Sequence, residues 1–246
     1  MKIEYIKEGT LEEALPFFPT TVKKAATWHE MEDMSTIQDF NTLKLLFPKD
    51  FVLIYKASQS MITKEMENPN YHYVSEEIPG RTGIADCNTL CFSFFHDKGQ
   101  LLVGPSLMKA IVDLGGEPSK IKQYNNQDIE IDDKKVCGIG GRVINGKYTF
   151  EVGMIILIKD DALHREVLPD EEYYRVKIYD NEPSHIRLPC SGIIDEFPKI
   201  EREKLVEQFS KNIIEMYDNI ETPEDIDLGV RPLKPYEELQ NEEVKK

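Results

Sequence analysis

The sequence lacks the long apolar segments that carry a chain into or across a membrane. No apolar run is longer than five residues, the length of MIILI at 154–158, whereas a membrane-spanning helix needs about 20. The N-terminal stretch MKIEYIKEGTLEEALPFF has no uninterrupted apolar core of the kind that marks a signal peptide. We therefore expect a cytoplasmic protein that neither crosses nor binds a membrane.

Basic residues are also scarce. Lysine and arginine together number 30, against 45 aspartates and glutamates, which gives a formal net charge of −15. Such a chain repels phosphate backbones and anionic lipid surfaces unless a local basic patch overrides the net charge, and the sequence shows no such patch. Nucleic acid is therefore not an expected partner.

Cysteine is infrequent as well, and the four that occur are Cys87, Cys91, Cys137 and Cys190. In a reducing compartment such thiols bind metals, act as nucleophiles or are simply buried, and disulfides are rare. Cys87, Cys91 and His96 lack a second ligand pair at zinc spacing, so we expect these three to be buried and predict no metal site.

The 246 residues, 40% of them hydrophobic, suffice for one folded domain with a core that can enclose a site. We assign residues 1–220 to a single domain. The acidic, proline-punctuated residues 221–246 are expected to form an extended tail.

Apolar periodicity predicts an α+β fold, a mostly antiparallel sheet with packed helices. Helical spacing occurs in parts of 21–47 and along 200–217, and a helix with Ser106 as its N-cap should end at Gly115-Gly116. Asn145-Gly146 is a strong hairpin signal. Strands are predicted at 2–7, 51–55, 71–74, 90–95, 128–131, 136–144, 147–158 and 173–179.

The stretch KKVCGIGGR at 134–142 is the most informative part of the sequence. It places Lys135 at the start of a strand and follows it with three glycines in four positions. Glycines let a ligand or another backbone approach closely, because no side chain stands in the way. A bulged strand with a solvated lysine is the alternative reading.

This stretch resembles a strand of the superfamily of lipoate-protein ligases, octanoyltransferases and biotin-protein ligases. The matching residues are Asp128-Ile129-Glu130-Ile131 and Lys135-Val136-Cys137-Gly138 for the ligases, and Lys135, Val136, Ile139, Gly140, Arg142 and Val143 for the octanoyltransferases. The resemblance implies a biotin/lipoate ligase-like catalytic domain. In it, Lys135 is catalytic and binds the carbonyl or phosphate of an activated acyl group, while Gly138, Gly140 and Arg142 bind substrate.

A second resemblance covers the residues from Gly80 to Phe94, which are similar to a loop and the following strand of the ligases. Arg81, Thr82 and Gly83 fit the loop, and the strand is matched by Asn88, Leu90, Phe92 and Ser93. Backbone amides of such a loop can hold a phosphate, with an arginine adding charge. The resemblance implies that Arg81, Thr82, Gly83 and Asn88 bind substrate.

The third resemblance lies at HIRLPCSGII, residues 185–194, which is similar to the Pro-Cys-Gly-Ile stretch of octanoyltransferases. There the cysteine carries the acyl chain as a thioester, and the strand lysine activates it. The resemblance implies that Cys190 is a nucleophile and that Lys135 assists it. A buried structural thiol is the alternative for Cys190.

Three functions remain open. The first is transfer of an octanoyl or lipoyl group to a carrier-domain lysine through a Cys190 thioester, which requires no cofactor. The second is an ATP-dependent lipoate or biotin ligase that forms an acyl-adenylate and requires ATP and Mg. The third is a catalytically reduced protein that binds an acyl or nucleotide ligand. Expected partners are a lipoyl or biotinyl carrier domain, the H protein of glycine cleavage, and an acyl carrier protein as donor.

Overall fold

The structure is a computed structural model that describes residues 2–9, 42–48, 52–57, 71–76, 83–124, 128–144, 146, 148–167 and 190–221. The strands are β1 (Lys2–Gly9), β2 (Thr42–Pro48), β3 (Val52–Ala57), β4 (Tyr71–Glu76), β5 (Gly83–Ala85), β6 (Thr89–His96), β7 (Ile121–Tyr124), β8 (Asp128–Ile131), β9 (Lys134–Ile144) and β10 (Tyr148–Ile156). The helices are α1 (Val103–Asp113), α2 (Asp161–Val167), α3 (Ile193–Glu196) and α4 (Arg202–Asn219), with a short 3₁₀ turn at Pro118–Lys120.

Seven of these strands form one sheet in the order β1-β2-β6-β10-β9-β8-β7, and β4-β3-β5 form a second. The pairings β1–β2 and β3–β4 are parallel, whereas the others in these sheets are antiparallel. The predicted hairpin joins β9 to β10, and Gly146 within its turn has φ +67°, a backbone conformation that glycine adopts without strain. The expectation of a mostly antiparallel α+β fold is confirmed.

The core lies on one face of the large sheet. Leu90, Phe92 and Phe94 alternate along β6 and are fully buried against α1 and α4, each contributing about 1.5–3 kcal/mol through burial. Helix α4 presents the apolar side expected from its periodicity, with Leu205, Phe209 and Ile213 buried and Met216 packed at the edge. Along β9 the alternation turns Cys137 and Ile139 towards this core and Gly138 and Gly140 towards the opposite face.

The predicted N-cap at Ser106 is wrong. Helix α1 already begins at Val103, and Ser106 lies buried within it, with its N–H bonded to the carbonyl of Leu102. Glu151 of β10 caps the helix instead. Its carboxylate accepts hydrogen bonds from the N–H groups of Leu102 (2.9 Å) and Val103 (3.1 Å) at the helix N-terminus. A capping partner distant in sequence replaces the local one. The predicted end of the helix at Gly115-Gly116 is confirmed, since α1 ends at Asp113 and Gly115 follows with φ +95°.

Residues 42–47 were expected to continue a helical pattern, and the structure corrects this. They belong to β2, which inserts between β1 and β6. Sheet pairing on both sides overrides the local pattern. The remaining part of that prediction, residues 21–41, lies outside the described residues, as do the predicted strand at 173–179 and residues 222–246 of the expected tail.

Burial of the three clustered residues follows the prediction only in part. Cys91 and His96 are buried, but Cys87 is exposed because it lies in the turn between β5 and β6. In the described part of the chain, no group of three or more His, Cys, Asp or Glu side chains could hold a metal ion. No described helix is long and apolar enough to cross a membrane.

Candidate functional site

A β-bulge determines where Lys135 points. Glu130 of β8 pairs with Lys135 and Ile129 pairs with Cys137, so Val136 has no partner opposite it. The extra residue shifts the alternation, and Lys135 and Gly138, three residues apart, therefore lie on the same face. A Cβ atom on Gly138 would be 3.2 Å from Cε and 3.3 Å from Nζ of Lys135. The lysine side chain thus lies across the glycine.

Asp128 holds the end of that lysine side chain. Its Oδ1 atom is 2.7 Å from Nζ of Lys135, and the two side chains are 29% and 26% exposed, respectively. Asp128 pairs with Gly138 in the strand register, so the carboxylate, the ammonium and the glycine form one compact unit. Because the unit is partly exposed on the face away from the helices, an incoming ligand can reach the ammonium.

Cys190 lies beside this unit although it is distant in sequence. It forms an isolated parallel β-bridge with Lys135, and the N–H of Ser191 donates a hydrogen bond of 3.0 Å to the Lys135 carbonyl. Residues directly opposite in a bridge direct their side chains to the same face of a sheet. Lys135 and Cys190, which sequence reasoning predicted to work together, are therefore neighbours, and the half-buried Cys190 stays accessible.

The segment after Cys190 is fixed by close backbone contacts. The N–H of Ile194 donates to the Leu157 carbonyl (2.9 Å), at the end of β10. A Cβ atom on Gly192 would be 2.6 Å from Cα of Ile158 and 2.7 Å from the Leu157 oxygen, so only glycine permits this approach. The segment fills the gap where β9 and β10 separate.

Two carboxylates of α3 also hold the segment after Cys190 in place. Asp195 Oδ2 accepts hydrogen bonds from the N–H groups of Gly192 (3.0 Å) and Lys159 (2.8 Å). Glu196 Oε1 accepts a hydrogen bond from the Ser191 hydroxyl (2.5 Å) and pairs with Lys134 Nζ (2.8 Å). Burial raises the pKa of Glu196, but the lysine and the hydroxyl outweigh burial and hold it below its usual value.

A depression of about 400 Å³ opens beside Cys190. Its lining includes positively and negatively charged side chains, and two of them, Lys159 and Asp161, form an ion pair at 3.1 Å. The lining residues are Lys134, Lys159, Asp161, Cys190, Ser191 and Asp195. The cysteine therefore has a polar, charge-balanced approach on one side.

The structure relates the other predicted substrate-binding residues less directly to Lys135 and Cys190. The carbonyl of Asn88 accepts a hydrogen bond from Leu157 N–H (2.9 Å), which ties its turn to the end of β10, where the Cys190 segment also attaches. Gly83 begins β5 and pairs with Tyr55, and Gly140 pairs with Val152 on the exposed side of β9. Arg81, Thr82 and the side chain of Arg142 lie outside the described part of the chain. The roles of all these residues stay predictions.

Sequence reasoning did not single out Asp128, Lys134, Ser191, Asp195 or Glu196 as functional. Asp128 was recognised only as the start of a motif, because its pairing with Lys135 depends on the bulge. Lys134 and Glu196 meet only after folding, and no spacing rule joins them. The sequence does signal Glu151, since an isolated carboxylate interrupts the apolar strand FEVGMII at 150–156.

A second polar cluster lies on the core face, at the N-terminus of α1. Glu151 is fully buried, and burial raises its pKa to about 7 against the opposing effect of the two backbone N–H donors. His96 Nε2 is 4.0 Å from Glu151 Oε2 and, like Thr149 Oγ1, has no hydrogen-bond partner among the described residues. Burial lowers the pKa of His96 to about 3. The histidine is therefore neutral at physiological pH.

No protein-family model matches the sequence, and no curated protein matches it significantly. Solved structures do match. P. falciparum LipL1 in complex with lipoate has a TM-score of 0.58 at 15% identity, over 92% of this chain and 65% of that one. A lipoate-protein ligase A bound with ATP has a TM-score of 0.56 at 15% identity, over 100% and 95% of the two chains. The chain has the lipoate-protein ligase fold.

A third structure with the lipoate-protein ligase fold is the bi-partite lipoate protein ligase from Thermoplasma acidophilum, described with its E2 lipoyl domain. Its TM-score is 0.54 at 16% identity, over 100% of this chain and 92% of that one. The expected biotin/lipoate ligase-like architecture is thereby confirmed. This chain spans just under two thirds of LipL1, at 65%, and nearly all of the other two.

Proposed function

We propose that this protein transfers an octanoyl or lipoyl group to a lysine of a carrier domain, through a thioester on Cys190. The observation that carries the proposal is the β-bridge that places Cys190 beside Lys135. A nucleophilic thiol and an ammonium on one accessible face are the two groups that acyl transfer needs. The lipoate-protein ligase fold supports the general class, a ligase or transferase.

The transfer takes two balanced steps. The Cys190 thiolate attacks the carbonyl of an acyl thioester on the donor, and the donor thiol leaves as Cys190 acquires the acyl group. The amine of the carrier lysine then attacks the Cys190 thioester, forms an amide and releases the thiol of Cys190. In both steps the carbonyl oxygen gains negative charge, which the Lys135 ammonium counters.

The acceptor in this proposal is a lipoyl or biotinyl carrier domain or the H protein of glycine cleavage, and an acyl carrier protein is the donor. An acceptor lysine can approach the site, because Lys135 and Asp128 are both partly exposed. One of the similar structures is described with an E2 lipoyl domain, which supports a carrier domain as the acceptor.

A second candidate is an ATP-dependent lipoate or biotin ligase. The ion pair between Lys135 and Asp128 favours it, because the ammonium is held over Gly138, where the backbone carries no side chain to exclude a phosphate. Lys135, Gly138 and Gly140 would hold the acyl-adenylate, whose mixed anhydride supplies the activated carbonyl. One similar structure is bound with ATP. In this candidate Cys190 has no chemical role.

A carrier-domain assay separates the candidates. The purified protein is incubated with a carrier domain and either octanoyl carrier protein or free lipoate with ATP and Mg, and the carrier mass is measured. We expect modification with the octanoyl donor and without ATP, and at least about a hundredfold less with Cys190→Ser, because a hydroxyl is a poor nucleophile at neutral pH. Modification that requires ATP and survives Cys190→Ser would establish the ligase. No modification with either donor would overturn both and favour a ligand-binding protein.

A further inference from the structure

Glu196 joins two side chains that neighbour the proposed reacting pair in sequence. Its Oε1 atom accepts the hydrogen bond from Ser191 and pairs with Lys134. Ser191 directly follows Cys190, and Lys134 directly precedes Lys135. Because successive side chains of a strand alternate between faces, Lys134 lies on the face of β9 opposite Lys135, and with Ser191 it lines the depression beside Cys190.

We infer that Glu196 is a positioning residue that holds Cys190 beside Lys135. The inference rests on the proposed function, since it assigns Glu196 a role only in relation to that pair. Glu196 binds one residue from each of the two segments, so it fixes their separation as a cross-link does.

The backbone contact between the segments is too small to do this alone. Lys135 and Cys190 form a single isolated bridge with one hydrogen bond, from Ser191 N–H to the Lys135 carbonyl. A neutral hydrogen bond contributes about 0.5–1.5 kcal/mol, and the contacts of Gly192 and Ile194 tie the Cys190 segment to the end of β10 rather than to Lys135. Charge-assisted bonds are stronger, and Glu196 makes one to an ammonium and one to a hydroxyl.

Burial distinguishes this ion pair from the others at the surface. The side chain of Glu196 is 12% exposed, whereas Glu201, which pairs with Lys204 one turn further on, is 64% exposed. Partial exclusion of water strengthens the first pair, and the second contributes little. Glu201 is therefore a matched control, a glutamate of the neighbouring segment with a lysine partner and no contact to the Cys190 segment in the described structure.

The reactivity of Cys190 towards iodoacetamide reports on its ammonium neighbour without any acyl donor. A nearby cation favours the thiolate, the form that reacts. Cys87 is exposed and is replaced by serine in all variants, and burial raises the pKa of Cys91 and Cys137 above their usual values. The other charged residues of the site are kept in every variant; they are Asp128, which pairs with Lys135, and Lys134, Lys159, Asp161 and Asp195, which line the depression.

A double-mutant cycle tests the inference. At pH 7 we expect Lys135→Met to slow alkylation of Cys190 by about threefold or more. Glu196→Ala should slow it by a similar factor, but should have no further effect in the Lys135→Met background, because there is then no ammonium to be positioned. Glu196→Gln, which keeps an acceptor for the Ser191 hydroxyl, should restore part of the rate, and Glu201→Gln should change nothing.

The alkylation rates distinguish a failure of the proposed function from a failure of the inference about Glu196. If Lys135→Met leaves the alkylation rate unchanged, the pairing of Lys135 with Cys190 in the proposed function is overturned. If Lys135→Met slows the reaction and Glu196→Ala does not, or slows it by the same factor in both backgrounds, only the role of Glu196 is overturned. Should Glu196→Ala fail to fold, judged by its urea unfolding curve, Ser191→Ala removes one arm of the same link and takes its place in the cycle.

Discussion

Gly138 determines how the Lys135 ammonium is presented to a ligand. The strand bulge places the lysine side chain across this glycine, and Asp128 holds its end at 2.7 Å. A side chain at 138 would meet Cε and Nζ of the lysine at 3.2 and 3.3 Å, closer than ordinary van der Waals contact, so the ammonium would have to move.

Gly138→Ala should therefore lower the rate of carrier modification by about tenfold, a loss of the size that follows from misplacing a reacting group. Gly140→Ala is the matched control, because a Cβ atom there would meet Val152 at 3.6 Å, an ordinary contact. Both variants are expected to unfold at similar urea concentrations. Equal activity in the two variants would show that Gly138 does not position Lys135.

At this scale the sequence singles out the proposed reactive residues better than the residues that contact them. Lys135 and Cys190 stand out because a lysine before clustered glycines and a cysteine after proline fit known motifs. Asp128, Lys134 and Glu196 could not be assigned, since their contacts depend on a one-residue bulge and on where α3 lies. Arg81 and Thr82, which the same reasoning selected, lie outside the described residues and stay predictions.

At the scale of elements, helix α1 depends on a buried carboxylate of another strand. Inside the core, Glu151 accepts hydrogen bonds from the amides at the N-terminus of α1. Burial raises the pKa of that carboxyl to about 7. Because the folded state then binds the proton more tightly than the unfolded state, this group stabilises the fold below about pH 4.5. That contribution is lost as the pH rises through 7.

We expect Glu151→Gln to remove this pH dependence. Because glutamine resembles the protonated carboxyl, the variant should match wild type near pH 4.5 and become more stable than wild type towards pH 8, by at most about 3 kcal/mol, the value of a shift of this size. Urea unfolding at several pH values measures the difference, and subtraction cancels the contributions of the titratable groups common to both proteins. A difference that stays constant from pH 4.5 to 8 would show that Glu151 does not titrate in this range.

Most elements followed from periodicity, because alternation along β6, β8, β9 and β10 and the apolar side of α4 are local signals. Two failures have tertiary causes. Residues 42–47 were assigned the wrong type because neighbouring strands determine their structure, and the start of α1 was misplaced because its cap comes from β10. A pattern confined to one segment cannot contain either piece of information.

At the scale of the whole molecule, the large sheet has the apolar core on one face and the residues of the proposed chemistry on the other. The helices α1 and α4 cover one face with a continuous apolar core. Lys135, Asp128 and Gly138 lie on the other face, with Cys190 at the point where β9 and β10 separate. From the motif residues we predicted that Lys135 lines an acyl site, which stays a prediction, and the described structure pairs Lys135 with Cys190 in a β-bridge there.

The most direct measurement is the mass of the protein after incubation with octanoyl carrier protein alone. The account predicts one octanoyl adduct that hydroxylamine removes, located at Cys190 by peptide mapping and absent from Cys190→Ser. Buried Cys137 should carry none, since burial raises the pKa of its thiol. A wild-type protein that forms no adduct with this donor, yet modifies the carrier when given lipoate and ATP, would contradict it.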